Sequence, residues 1–387
     1  LDNNGRKKIL IVAGEASGDL HGANLVRALQ GRNPDLAFFG VGSRNLRAAG
    51  VEILADSSEI TAMGITEALA KLRQGRRVFR KILDRAEASP PDLAVLIDSP
   101  GFNLRLAGSL KTRGIRVMYY IAPQVWAWGQ GRIKKISERI DRLVSILPFE
   151  KEFFSQFGIP VDFVGHPLLD LARESRSPEE SRLVFGIKPG EKVIALLPGS
   201  RPGEIARLLP EILGAARNLS RQRPGLRFLL PVASSLNPQA IVESVQARGL
   251  GDAVSVLPGE EIYNALGIAE LALVASGTAT LEAALIGCPM IILYRVSRLS
   301  YGMGRMLVKV KHIGLVNLMA GREVVPELLQ GEARAERITR EVERFLDNQE
   351  LKNQVKSDLG RIRASLGNPG AAGRAAQIAL EMLETRS

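Results

Sequence analysis

Three side chains stand where chemistry on a phosphorylated, hydroxyl-bearing substrate would need them. Asp98 follows directly on the apolar run Leu93 to Ile97 and opens the segment Asp98-Ser99-Pro100-Gly101-Phe102-Asn103. A carboxylate at the end of a buried strand can act as general base on a substrate hydroxyl, a role worth roughly 10²- to 10⁴-fold. The same residue can instead close an Asx-turn. Arg201 stands in Pro198-Gly199-Ser200-Arg201-Pro202-Gly203-Glu204, after the run Val193 to Leu197 and before a helix. Its planar guanidinium suits the oxygens of a diphosphate, with Gly199 and Ser200 beside it; the alternative is an N-capping turn with a solvated Arg. Glu282 lies one turn into the helix opened by Ser276-Gly277-Thr278-Ala279-Thr280. That helix start can donate N–H and O–H groups to phosphate while the carboxylate accepts from ribose hydroxyls. A salt-bridged structural Glu is the other reading, since an unpaired buried carboxylate is costly. A fourth loop, Gly14-Glu15-Ala16-Ser17-Gly18-Asp19-Leu20-His21-Gly22, is neither GxGxxG nor a Walker loop. It reads as a backbone cradle or as a plain strand-to-helix turn, and Glu15, Ser17 and His21 are its candidate ligand contacts.

These loops need strands that end where they begin. Apolar runs recur at Ile9 to Ala13, Ala37 to Val41, Leu93 to Ile97, Val117 to Ile121 and Leu143 to Leu147. A second series runs Val193 to Leu197, Phe228 to Val232, Val254 to Leu257, Leu271 to Ala275 and Met290 to Leu293. Amphipathic helical stretches separate them, so the fold class is α/β, with two doubly wound parallel sheets. The polar, turn-rich stretch after Asp170 places the boundary there, giving domains 1–170 and 171–387. The tail from Glu332, with Ile338, Val342 and Phe345 at helical spacing, is expected to pack back on one of them. In such sheets ligands bind beyond the carboxyl ends of the strands, where all four loops fall.

Composition narrows the classes. The chain has 387 residues, 45% hydrophobic and 24% charged, which excludes disorder and fibrous repeats. One cysteine, Cys288, excludes an internal disulfide, and three scattered histidines leave little for a metal centre. No export signal is evident, and the reading is cytoplasmic. Leu271 to Tyr294 is the one stretch resembling a membrane span, but Ser276, Gly277, Thr278, Thr280 and Glu282 near its middle make it strand, helix and strand. There is no D-x-D sequence, so leaving-group charge falls to Arg201, helix dipoles and backbone donors.

The net charge of +11 calls for an anionic partner. From Ile65 to Leu83, apolar residues including Leu69, Leu72 and Phe79 form one helical stripe, while Lys71, Arg73, Arg76, Arg77, Arg80 and Lys81 make the other face basic. That pattern suits a helix lying on an anionic membrane surface, or else a core-facing helix with a solvated basic side. Arg298, Arg305, Lys309 and Lys311 form a second basic cluster. Nucleic acid is disfavoured, because aromatics are only 5% and are not interleaved with the basic residues as stacking platforms.

The loops resemble, together and in order, those of the lipid-A-disaccharide synthase family. The segments are VAGEASGDLHGA from Val12, MGITEAL from Met63, DSPGFN from Asp98, YYIAPQVWAW from Tyr119 and LPFEKEFF from Leu147. VGHPLLD from Val164, LLPGSRPGEI from Leu196, ASGTATLEAAL from Ala275 and NLMAGREVVPELLQ from Asn317 continue the series. The resemblance implies a GT-B fold, two Rossmann-like domains facing an interdomain cleft, and an inverting glycosyltransferase of lipopolysaccharide assembly in Gram-negative bacteria. It implies UDP-2,3-diacylglucosamine as donor and 2,3-diacylglucosamine 1-phosphate (lipid X) as acceptor, with no cofactor and no metal. By that resemblance Asp98 is the base, Arg201 and Asn317 serve the donor, and Glu282 holds the ribose. It also implies an enzyme peripheral on the cytoplasmic face of the inner membrane, and leaves homo-oligomerisation open. The rival readings are another UDP-sugar GT-B enzyme or epimerase, and a basic protein binding anionic lipid.

Overall fold

The structure, a computed structural model, describes residues 6–60, 68–127, 129–297 and 311–384, and of residues 16 and 68–72 the backbone alone. Its chain divides into two units, one running to Pro167 and taking in the chain from Leu366 onward, the other Leu168–Ser365.

The first unit is built on seven parallel strands: β1 (Lys8–Ala13), β2 (Ala37–Gly42), β3 (Glu52–Asp56), β4 (Leu93–Ile97), β5 (Val117–Tyr120), β6 (Arg142–Ser145) and β7 (Val161–Phe163). Their order is β3-β2-β1-β4-β5-β6-β7. The central pair sets Ile9 opposite Leu93 and Ala13 opposite Ile97, and every residue of both runs is fully buried. Continuous burial of this kind arises because helices cover both faces of the sheet. Two apolar clusters result, one around Leu10, Leu96 and Tyr119, the other around Ile9, Val95 and Tyr120.

The second unit repeats the plan with β8 (Lys192–Leu197), β9 (Leu226–Val232), β10 (Val254–Pro258), β11 (Leu271–Ala275), β12 (Met290–Tyr294) and β13 (Glu327–Leu329). The order is β10-β9-β8-β11-β12-β13, with all pairs parallel. Each sheet starts in its middle, winds outward one way, then returns to wind the other. The crevice this reversal opens lies at the carboxyl ends of β1 and β4 in one unit and of β8 and β11 in the other. The loops singled out from sequence follow those four strands.

Three strands escaped the sequence reading for a common reason. β3, β7 and β13 lie at or near the sheets' rims, and their residues EILAD, VDF and ELL are too short or too polar to make an apolar run. The stretch Leu271 to Tyr294 resolves into β11, the helix Thr278–Ile286 and β12. Among the described residues no helix is long and apolar enough to cross a membrane.

The tail is shared. Helices Ala335–Asp347 and Gln349–Ser365 pack within the second unit, whereas Ala371–Glu384 lies on the first unit's helix Ala16–Gln30 through Ala375, Ala376, Ala379 and Leu383. Asp19, inside that first helix, is buried and accepts from the backbone N–H groups of Ser43 (2.6 Å), Asn45 (2.9 Å) and Leu46 (3.3 Å). It thereby satisfies the open donors of the short helix Arg44–Ala48, a capping effect worth about 1 kcal/mol. Asp19, one of the two acidic residues of the Gly-rich motif, is therefore structural.

Candidate functional site

At the β1/β4 crevice the chain makes a strained turn around the candidate base. Asp98 and Ser99 both adopt positive φ, 49° and 46°, a conformation costly for residues with a side chain. Two side chains converge on the Asp98 carbonyl to hold it. Asn103, fully buried, donates through Nδ2 to the carbonyls of Asp98 (2.8 Å) and Ile97 (3.0 Å), and the buried Tyr119 hydroxyl donates to Asp98 as well. Gly14 is required opposite, because a Cβ there would overlap the Ser99 hydroxyl. The result presents a half-buried Asp98 carboxylate at the strand end. Burial raises its pKa, the neighbouring Glu15 raises it further, and the Ser99 N–H opposes them. A carboxylate made more basic in this way is better matched to taking a proton from a hydroxyl.

The other first-unit candidates fall around this turn. Glu15, half-buried, occupies the N-cap position of the helix Ala16–Gln30 without a side-chain capping hydrogen bond and is the charge Asp98 feels; Ser17 is exposed on that helix's first turn. His21 lies one turn further on, where burial holds its imidazole down at about 4, and its Nδ1 is buried without a hydrogen-bond partner among the described residues. The neighbouring His166, also buried, is held at about 3, by burial and then by His21. Both are neutral at physiological pH. Asn103 and Tyr119 were not identified as functional from sequence, although both sit in segments quoted for the resemblance; only the fold shows them meeting at one carbonyl.

At the β8/β11 crevice there is a cavity of about 360 Å³. Its walls include Gly199, Ser200 and Arg201 from the loop after β8, and Ser276, Gly277, Thr278, Ala279 and Glu282 from the loop and helix after β11. Eight residues singled out from sequence are thus brought together. Gly199 has φ +116°, and a Cβ there would overlap Glu204. Glu204 turns back to accept from the backbone N–H groups of Ser200 (3.0 Å) and Arg201 (3.2 Å). Those two donors are spent, so the loop's offer to an anion is the Arg201 guanidinium, whose side chain is 75% exposed and 3.9 Å from Glu204.

Across the cavity Glu282 is half-buried, and burial raises its pKa against the opposing pull of one hydrogen bond. The donor is the Tyr263 hydroxyl, 2.9 Å from Oε1. Tyr263 comes from the helix Ile262–Ile268 after β10, a segment with no motif to draw attention to it.

Two candidates sit differently from the expectation. Asn317 is fully buried, and its amide is engaged inside the fold. Nδ2 donates to the Val325 carbonyl (2.8 Å) and Glu327 Oε1 (2.8 Å), while Oδ1 accepts from the N–H groups of Val324 (2.7 Å) and Val325 (3.0 Å). It fixes the path into β13. Phe79 does not belong to an outward-facing set, because it packs on the first unit's core and meets Phe102 edge-on with ring centroids 5.8 Å apart. On the same helix, Ala68–Ala88, the basic face is as expected: Arg73, Arg76, Arg77, Arg80 and Lys81 are exposed. The side chains of Leu69 and Leu72, and residues Arg298, Arg305 and Lys309 of the second basic cluster, lie outside what the structure describes. Among the described residues no three His, Cys, Asp or Glu side chains group as metal ligands.

Residues 9–382 match the sequence profile of a family described as lipid-A-disaccharide synthetase. A lipid-A-disaccharide synthase of Geobacter metallireducens is 46% identical over 377 residues, covering 97% of each chain. One from Syntrophus aciditrophicus is 47% identical over 378 residues, covering 98% of each. Among solved structures, UDP-GlcNAc 2-epimerase from Neisseria meningitidis bound to UDP-GlcNAc aligns with a TM-score of 0.64 at 15% identity, over 97% of this chain and 99% of that one. The calicheamicin glycosyltransferase CalG4 aligns at 0.62 and 15%, over 98% of each chain. At those identities the shared property is the two-domain Rossmann-like fold of GT-B enzymes.

Proposed function

The chain belongs to the lipid-A-disaccharide synthetase family, and from that premise we propose how its two loop clusters divide the work of one reaction. It is a glycosyltransferase of lipid A biosynthesis. It transfers 2,3-diacylglucosamine from its UDP conjugate to the 6-hydroxyl of 2,3-diacylglucosamine 1-phosphate, giving the β-1,6-linked disaccharide 1-phosphate and UDP. The observation that carries this reading is the family match, which spans both crevice loops and the segments between them.

In the proposed division, the unit that runs to Pro167 and takes in the chain from Leu366 binds the acceptor, and the unit Leu168–Ser365 binds the donor. Asp98 takes the proton of the 6-hydroxyl as that oxygen bonds to the anomeric carbon. The bond from that carbon to UDP breaks on the opposite side, its electron pair leaves with the diphosphate, and the configuration inverts. Glu15, Ser17 and His21 surround the acceptor sugar; Glu15 also keeps Asp98 basic. On the donor side Arg201 offsets the diphosphate charge, which grows as the bond breaks. Gly199, Ser200 and the helix start Ser276 to Ala279 shape the phosphate end of the cavity, and Glu282 accepts from the ribose. The exposed arginines of the helix Ala68–Ala88 hold the enzyme on the anionic cytoplasmic face of the inner membrane, where both acylated substrates reside.

Incubation with both acylated sugars, in detergent and EDTA, followed by mass spectrometry of the lipid fraction, tests the reaction. The expected product is the disaccharide 1-phosphate with stoichiometric UDP. Epimerised UDP-sugar, or UDP without disaccharide, would overturn the reading.

A further inference from the structure

We propose that Tyr263 is a positioning residue that gives the donor site its selectivity for a ribonucleotide, by fixing the Glu282 carboxylate so that one oxygen stays available to the sugar hydroxyls. The inference rests on the nucleotide reading of the cavity and adds to it a residue that no motif marks.

The geometry is specific. Tyr263 and Glu282 come from different helices, Ile262–Ile268 and Thr278–Ile286, that follow different strands, and they meet at the cavity wall. Ile262 and Gly259 line the cavity beside them, so the Tyr263 segment forms part of the wall itself. The phenol donates to Oε1 at 2.9 Å, the one hydrogen bond seen at the Glu282 side chain among the described residues. An ionised carboxylate accepts about four hydrogen bonds, so Oε2 and the remaining capacity of Oε1 are open to a ligand.

A Glu side chain left to itself turns freely about its last torsion and presents no fixed acceptor geometry. A single donor on one oxygen restricts that freedom and favours the charged form, opposing the burial that raises the carboxyl's pKa. A site built to accept from a hydroxyl rejects the analogue lacking it far more strongly than an apolar pocket rejects an extra group. Tyr263 therefore acts on selectivity through Glu282, without touching the nucleotide.

The test is isothermal titration of the full chain with UDP and with 2′,3′-dideoxy-UDP. The unsubstituted protein should bind UDP at least about tenfold tighter than the dideoxy analogue, as expected for hydrogen bonds to a charged group. Tyr263→Phe, which keeps the ring and its packing, should weaken UDP by about tenfold while leaving the dideoxy analogue within about twofold. In a Glu282→Gln background the same change should add little, because the two residues act as one unit. Equal weakening of both ligands by Tyr263→Phe, or none, would overturn the inference and leave Tyr263 a packing residue. Should the unsubstituted protein fail to discriminate, the ribose role of Glu282 falls first and the inference with it, a result visible before any substitution is made.

Discussion

Asn317 and Glu150 show how a single buried side chain sets what can be measured. Asn317→Ala strands the N–H groups of Val324 and Val325 and removes the donor to Glu327. The cost should be about 3 kcal/mol of stability in urea unfolding, with UDP affinity of the folded protein unchanged. Lost turnover at unchanged stability would return Asn317 to the chemistry. Glu150 is fully buried, and burial pushes its carboxyl up to about 7 against the hydrogen bond from the Trp126 indole and two backbone N–H groups. The folded chain keeps this proton between about 4.5 and 7, where the unfolded chain has released it. The group's contribution to stability therefore falls as pH rises through that window. His21 and His166, depressed by burial, act with the opposite sign, since the unfolded chain takes up their protons first as pH falls below about 6.5. Glu150→Gln separates the two effects. Relative to the unsubstituted protein, the variant should gain about 2.5 kcal/mol of unfolding free energy between pH 5 and pH 8, and a difference independent of pH would contradict the account.

At the scale of elements, the helix Ala68–Ala88 carries two kinds of information that sequence mixes. Val78 and Ile82 are buried and Phe79 packs beside them, while Arg73, Arg76, Arg77 and Arg80 form the free face. Helical periodicity gave the apolar stripe but could not say that its partner is the protein's own core. The prediction for membrane binding accordingly rests on charge. Arg76→Glu, Arg77→Glu and Arg80→Glu together should lower flotation with phosphatidylglycerol vesicles at low salt by at least about a hundredfold in partition coefficient, at roughly 1 kcal/mol per lost charge. Binding to neutral vesicles should not change, and unchanged flotation on the anionic ones would refute the assignment. The same limit explains which strands were legible. Buried runs such as Leu93 to Ile97 announce themselves, whereas rim strands such as β7 take their form from a neighbour through pairing, as Val161 does from Leu143.

Across the whole molecule, two sheets wound in the same sense place their crevices after β1 and β4 and after β8 and β11. The strand ends were legible in the sequence as the ends of apolar runs, and with them the placement of Asp98, Arg201 and Glu282 just beyond those ends; the strand order that makes each pair of ends a crevice came from the fold. What was not legible depends on which groups the fold turns toward each other, whether across separate segments or within one loop. Tyr119 and Asn103 meet at the Asp98 carbonyl, Tyr263 meets Glu282, and Glu204 closes on its own loop to take the Ser200 and Arg201 N–H groups. The central claim is that the first unit's crevice supplies the base while the second's holds the nucleotide. Asp98→Asn tests it most directly, with turnover and UDP affinity measured on the same preparation. Turnover should fall by at least about 10²-fold while UDP binds as before, since amide for carboxylate removes basicity and little else. Normal turnover in that variant, or a matching loss of UDP affinity, would contradict the account.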